Sequence, residues 1–347
     1  MKNINTYDIH GVTLLLESKN SNLIKSIEHQ LRYFKTYNDK NQDYDVVIKD
    51  YSTRPTIVNY QVASDYYFFE KGLMDIPDHK LCFDISGSCH IYYLNHFIIP
   101  VNLIVQLAIL KKGMTLVHSA AFSFNGNNIL LPALGGIGKT TIVSHAMKQD
   151  GNLFGDDMCI IDRNANMFAY PIDFSVYDYH YSLLGIKKSF KRKIFGILGS
   201  FLKLFDRVPL VSWFTSRIRG RFFPACENIS PIEIYGKEKV AKNAIMNRLF
   251  YIIRHKDSEN EVKESQISSK TIADRITTIL LSEWKDSITF LKIYSTFSDD
   301  FCYIQFCNNI NAIAFEMSSK IHLKEISIDS NINNDRYISI LWNLLQK

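Results

Sequence analysis

The sequence predicts an α/β protein, on three observations. Apolar runs of strand length recur along the chain, several alternate with stretches of helical spacing, and one pair of runs brackets a glycine-rich turn of strand-to-helix type. With 347 residues and 46% hydrophobic content the chain can bury a large core, and its length favours about two domains. The boundary is expected near residue 112: residues 1–112 form a small N-terminal α/β domain and residues 113–347 a larger one.

In the first part, residues 11–17 read as a strand, Ser21 as a helix N-cap, and Leu23, Ile24, Ile27, Leu31 and Phe34 fall on one helical face. Strands are expected at 44–48, 56–61, 66–69, 80–84 and 90–94, and a buried helix at 98–111. Lys111-Lys112-Gly113 closes that helix, with cations at its negative end. Ser86 and Ser88 sit in a plain turn, because the G-x-S-x-G pattern of a nucleophile elbow is absent.

Two strand-like runs follow, 115–124 and 128–132, joined by Asn125-Gly126, a strong hairpin signal. The hairpin feeds Ala133-Leu134-Gly135-Gly136-Ile137-Gly138-Lys139-Thr140, which has the form of a P-loop with Ala133 in place of the first glycine. Glycines let successive backbone N–H groups turn inward on a polyphosphate, Lys139 adds a compact positive charge, and Thr140 offers a hydroxyl to magnesium. Thr140 to Lys148 has helix-forming composition, which places Thr141 and the bound anion at a helix N-terminus. The loop therefore implies nucleotide binding, with Ala133 to Thr141 as the contacting residues and ATP and Mg2+ as the ligands. Downstream, Asp156-Asp157 stands just before the apolar run 158–161, where a metal-binding acid belongs.

From His118 through the hairpin, the loop, a helix, a glycine turn and Asp156-Asp157, residues 113–171 resemble the HPr kinase/phosphorylase-like kinases (HPr serine kinase C-terminal domain-like). Their catalytic core has a phosphoenolpyruvate-carboxykinase-like fold. The resemblance implies ATP- and magnesium-dependent transfer of a phosphoryl group to a hydroxyl, of serine type, on a peptide, protein or small molecule. It makes Asp156 the base, Asp157 a magnesium ligand with Thr140, and His118 the support of the acids, beside Lys139. The family's second, glycine-rich signature has no recognisable counterpart, and Thr140 stands where the family has Ser. The resemblance thus extends to the forward transfer and not to phosphorolysis or to HPr as acceptor. A nucleotide-responsive module without transfer and a P-loop ATPase are the alternatives.

Charge is uneven. Residues 187–221 carry ten basic side chains against one acid, Asp206, a net +9 that exceeds the +5 of the whole chain. Apolar residues interleave with them, so this reads as a basic amphipathic insertion. It suits a helical insertion with a solvated face, a lid over phosphates or an acidic acceptor, or contact with an anionic membrane. Arg217, Arg219 and Arg221 are candidates to touch the phosphates or the acceptor. The modest overall charge argues against a specific nucleic-acid partner, and self-association stays open.

Six cysteines are scattered without a C-x-x-C pair, and no signal peptide or membrane span is visible, which implies reduced thiols in a cytoplasm. Cys89, His90 and His96 do not make a complete zinc set. The last third is expected to give a strand at 248–254, an exposed polar loop at 256–266, a helix marked by Ile272, Ile276, Ile279 and Leu280, strands at 291–297 and 302–306, and helices at 310–319 and 336–345.

Overall fold

The computed structural model describes residues 3–37, 43–63, 67–95, 99–177, 180–187, 226–256 and 261–346. The basic insertion, apart from Lys187, lies outside these residues, and so do Arg217, Arg219 and Arg221.

The architecture is mixed α/β and rests on two large sheets. The first contains β1 (Asn3–Ile9), β2 (Val12–Ser18), β3 (Lys35–Thr36), β4 (Val46–Asp50), β5 (Gln61–Ala63), β6 (Tyr67–Glu70), β7 (Leu73–Ile76), β8 (Leu81–Asp84) and β9 (His90–Leu94), in the order β3-β1-β2-β4-β9-β8-β7-β6-β5. Helices α1 (Ser21–Leu31) and α2 (Val101–Leu110) follow β2 and β9. Asn20, not Ser21, caps α1: its side chain accepts from the N–H groups of Asn22 and Leu23. Leu23, Ile24, Ile27 and Leu31 are buried, as their spacing requires.

The second sheet is centred on a hairpin. β10 (Met114–Phe124) and β11 (Asn127–Pro132) pair antiparallel from Ser119–Pro132 to Phe124–Asn127. Asn125 and Gly126 both take positive φ, 46° and 77°, the requirement of a two-residue hairpin turn. β11 pairs in parallel with β18 (Arg248–His255), and β18 with β20 (His322–Asp329). On the other side, β10 pairs with β12 (Asn152–Gly155) and β13 (Met158–Asp162), and β13 leads through β14 (Asn166–Phe168) to β17 (Asn243–Ile245). β19 (Val262–Ser265) borders β20. A separate ribbon joins β15 (Phe174–Tyr177) to β16 (Cys226–Ile229), with the short helices α4 (His180–Leu184) and α5 (Pro231–Tyr235) beside it.

Helices cover both faces of this sheet. On one face α3 (Lys139–Lys148) and α9 (Asn334–Gln346) pack on Ala120, Phe122, Ile129, Leu131, Phe250 and Ile252. On the other, α6 (Ser269–Glu283) and α8 (Tyr303–Ser318) pack on Val117, Ala121, Leu130 and Leu249. Odd and even positions of β10 thus serve opposite cores, the period of two that a strand imposes.

The chain between α6 and α8 departs from the sequence expectation. Residues 291–297 and 302–306 are not strands: α7 (Lys285–Tyr294) occupies most of the first run, and α8 begins at Tyr303. The burial of Ile288, Leu291 and Tyr294 has helical spacing, and the isolated runs were too short to reveal the period. Residues 56–60 are likewise not strand, and Val58 and Tyr60 are exposed; only β5 forms at the end of that run. The polar stretch 256–266 contributes β19, an exposed edge strand. β1, unforeseen, pairs with β2 across His10-Gly11, both at positive φ.

α7 returns to the first sheet. Ile288, Phe290, Leu291 and Tyr294 share one apolar cluster with Val46, Ile48, Met74 and Phe83. The buried Tyr294 hydroxyl donates to Gly72 O at 2.6 Å and accepts from Ile85 N at 3.2 Å. Tyr294→Phe removes these bonds and leaves buried backbone groups unpaired; urea unfolding of the variant is expected to show a loss of about 1–3 kcal/mol.

Candidate functional site

The loop joining β11 to α3 occupies the strand-to-helix position that its sequence requires. Ala133 is fully buried in the cluster under α3, so its methyl group fills core space at the first position of the motif. Leu134, Gly135 and Gly136 form an exposed crest. Gly138, at φ 105°, turns the chain into α3, and a Cβ there would lie 2.8 Å from the Tyr337 ring. Backbone conformation and the Tyr337 wall both demand glycine at this point. Thr141 is buried on the first turn of α3.

Lys139 turns back under the loop instead of reaching into solvent. Its ammonium donates to Ala133 O at 2.8 Å and Leu134 O at 3.2 Å, and lies 2.8 Å from His118 Nε2. Burial lowers its pKa, opposed by Asp157, Asp156 and Glu283. Because Lys139 is a donor only, His118 Nε2 is the acceptor and the imidazole proton sits on Nδ1. Burial, then the Lys139 charge, depresses the His118 pKa and keeps the ring neutral.

Strand register delivers the acids to the same place. His118 faces Met158 across β10 and β13, and Ser119 N bonds Asp157 O at 3.1 Å, so the turn between β12 and β13 lies beside His118. Gly155 enters this turn with no room for a side chain: a Cβ would lie 1.9 Å from Met158 O. Asp156 points inward and accepts from Thr140 Oγ1 at 2.6 Å through Oδ2, while its buried Oδ1 has no partner. Burial raises its pKa to about 7; the Thr140 bond and Lys139 oppose the rise, and Asp157 adds to it. The Asp157 side chain is 57% exposed, with Oδ1 3.7 Å from His118 Nε2.

The structure therefore brings together His118, Lys139, Thr140, Asp156 and Asp157 around the predicted loop. It also adds residues with no motif to announce them. Glu283, at the end of α6, places Oε1 3.7 Å from His118 Nδ1. That is too long for a hydrogen bond and leaves Nδ1 unpaired, but the Glu283 side chain is 38% exposed and has room to close the gap. Arg254, at the end of β18, donates to Ile137 O at 3.3 Å and Asp329 O at 3.2 Å and lies 4.1 Å over the Tyr337 ring. It ties the loop to β20 and α9. Only the packed sheet brings Arg254, Glu283 and Tyr337 to the loop.

Thr140 and the two aspartates are hard oxygen donors, the type magnesium takes. Among the described residues no group of three or more His, Cys, Asp or Glu side chains could hold a metal. Magnesium is commonly held by one or two carboxylates together with substrate phosphates and water, which this donor set fits. Also among the described residues, no helix is long and apolar enough to cross a membrane.

No protein-family model and no curated protein matches the sequence. Comparison with solved structures gives a weak match to the Hpr(Ser) kinase/phosphatase from Coxiella burnetii, at 8% identity over 67% of this chain and 87% of that chain, with a TM-score of 0.30. That score is too low to establish a common arrangement.

The raised Asp156 pKa has a consequence for stability. Between the unfolded value near 4 and the folded value of about 7, the native state holds a proton that the unfolded chain has lost, so stability falls as pH rises through this window. In metal-free buffer, Asp156→Asn is expected to flatten that decline and to exceed the wild type in thermal stability at pH 8, by a few kcal/mol at most. Parallel melting curves of the two proteins from pH 4 to pH 8 check this.

Proposed function

We propose that this chain is an ATP- and magnesium-dependent kinase that transfers the γ-phosphoryl group to a hydroxyl, of serine type, on a peptide, protein or small molecule. The catalytic core would be of the HPr kinase/phosphoenolpyruvate-carboxykinase-like type and span residues 113–347, with residues 1–112 as a separate N-terminal domain. The observation that carries the reading is the convergence of a buried lysine, a neutral histidine and a buried carboxylic acid beneath one glycine-rich strand-to-helix loop.

In this reading the loop amides and the N-terminus of α3 hold the β- and γ-phosphates. Lys139 exchanges the Ala133 and Leu134 carbonyls for phosphate oxygens. Thr140 and Asp157 would hold the magnesium, which would neutralise charge on the transferring group. With the Thr140 hydroxyl turned away, Asp156 Oδ2 would be freed of that hydrogen bond. Asp156 then takes the proton from the acceptor hydroxyl, whose oxygen bonds to the γ-phosphorus as the bond to the β-γ bridging oxygen breaks and ADP leaves. A pKa of about 7 suits that task, because such a carboxylate is a stronger base than an exposed one yet still largely ionised just above neutrality. His118, neutral and accepting from Lys139, holds the ammonium in line with the acids.

Incubation of the purified chain with γ-labelled ATP and magnesium against serine-containing peptides, carrier proteins and sugars tests the reading. Labelled product is expected only with a hydroxyl acceptor, and Asp156→Asn is expected to lower turnover ~10²–10⁴-fold while sparing ATP binding. Asp157→Asn should instead raise the magnesium requirement. Phosphate release to water alone, independent of acceptor, would make the chain an ATPase, and retained transfer in Asp156→Asn would remove that residue from the role of base.

A further inference from the structure

A groove of about 420 Å³ leads from the glycine-rich loop along α6. It is lined by α6 from Thr271 to Ser282 and so follows about 16 Å of the helix. Leu134, Tyr251 of β18 and Ile279 supply apolar walls. Leu134 is 52% exposed although it stands on the loop crest, so its side chain offers apolar surface at the mouth of the candidate site. The groove opens where β11, parallel to β18, passes into the loop, and the carboxyl ends of parallel strands are where α/β sheets receive ligands.

Two contacts place the groove at the γ-phosphate end of the loop. Leu134 O accepts from Lys139 Nζ at 3.2 Å, and a P-loop lysine reaches the β- and γ-phosphates. Ser282 is followed by Glu283, whose carboxylate faces His118 at 3.7 Å. What adjoins the γ-phosphate is the acceptor, while the nucleoside lies at the other end of the triphosphate. The lining also selects the acceptor's chemistry. Arg275 is held by Glu325 and lies 4.5 Å over the Tyr251 ring, so its charge is already answered. Asp274 is exposed and accepts from Asn311 Nδ2 at 2.9 Å, which leaves a carboxylate on the rim that repels acidic groups. An apolar, uncharged group suits the walls. A run of about 16 Å exceeds what a single side chain fills and matches about five residues of extended chain.

We infer that this groove binds the acceptor as an extended peptide, in which a large apolar side chain next to the phosphorylated serine fills the space between Leu134, Tyr251 and Ile279. The inference rests on the kinase reading and adds the acceptor class to it.

Titration calorimetry of the full chain with magnesium-ADP present tests this against three blocked pentapeptides, whose central serine is flanked on both sides by leucine, glycine or aspartate. The leucine peptide is expected to bind ~tenfold or more tightly than the glycine peptide, and the aspartate peptide most weakly. Thr278→Trp and Ser282→Trp, at exposed positions of α6, would fill the groove and should bring the leucine peptide down to the affinity of the glycine peptide. Melting curves check that both variants fold. Equal binding of the leucine and glycine peptides, or a leucine preference that survives both variants, would overturn the inference. Weakened binding of magnesium-ATP in Thr278→Trp with an unchanged leucine preference would assign the groove to the nucleoside base and overturn it as well. Transfer of label from ATP judges the kinase reading separately. Transfer that is as efficient to the glycine peptide as to the leucine peptide keeps that reading and removes the inference, whereas leucine-selective binding without transfer keeps the peptide groove and removes the kinase reading.

Discussion

The arrangement of the candidate site depends on one buried cation. Lys139 is only 6% exposed, and an ammonium so placed must be compensated where it stands. Two loop carbonyls and His118 Nε2 do so directly, and the aspartates and Glu283 add a favourable field. That requirement shapes its surroundings: it orients the loop carbonyls inward, fixes the His118 proton on the far nitrogen, and keeps the acids on the near side of β10. A neutral residue in place of Lys139 would leave carbonyls and an imidazole turned toward nothing.

The same geometry accounts for opposite environments in adjacent carboxylates. The turn between β12 and β13 is so tight at Gly155 that Asp156 and Asp157 diverge, one into the core against Thr140 and one toward solvent. Burial makes the first a weak acid, while the second stays open to solvent. Arg254 and Tyr337 hold the far wall of the loop, so β18 and α9 share in positioning it although neither carries a recognisable motif.

Local signals in the sequence revealed the elements that depend on local chemistry. Asn125-Gly126 announced the hairpin because a two-residue turn needs positive φ, and the glycine-rich loop announced its flanking strand and helix. Residues that matter only through packing stayed hidden: Glu283 ends an ordinary amphipathic helix, and Arg254 ends an ordinary strand. In the runs 291–297 and 302–306 β-branched and aromatic residues favour strand locally, while burial against the first sheet and against β13 makes residues 291–294 and 303–306 helical. Arg217, Arg219 and Arg221, the sequence's candidates for acceptor or phosphate contact, fall outside the described residues.

The central claim is that the loop from Ala133 to Thr140 is a triphosphate cradle closed by Lys139. Titration calorimetry of magnesium-bound ATP into the folded wild type and into Lys139→Ala measures it directly. The account predicts saturable binding at one site in the wild type and its loss in the variant. A wild type that ignores magnesium-bound ATP and GTP alike, or equal binding by the variant, would contradict it.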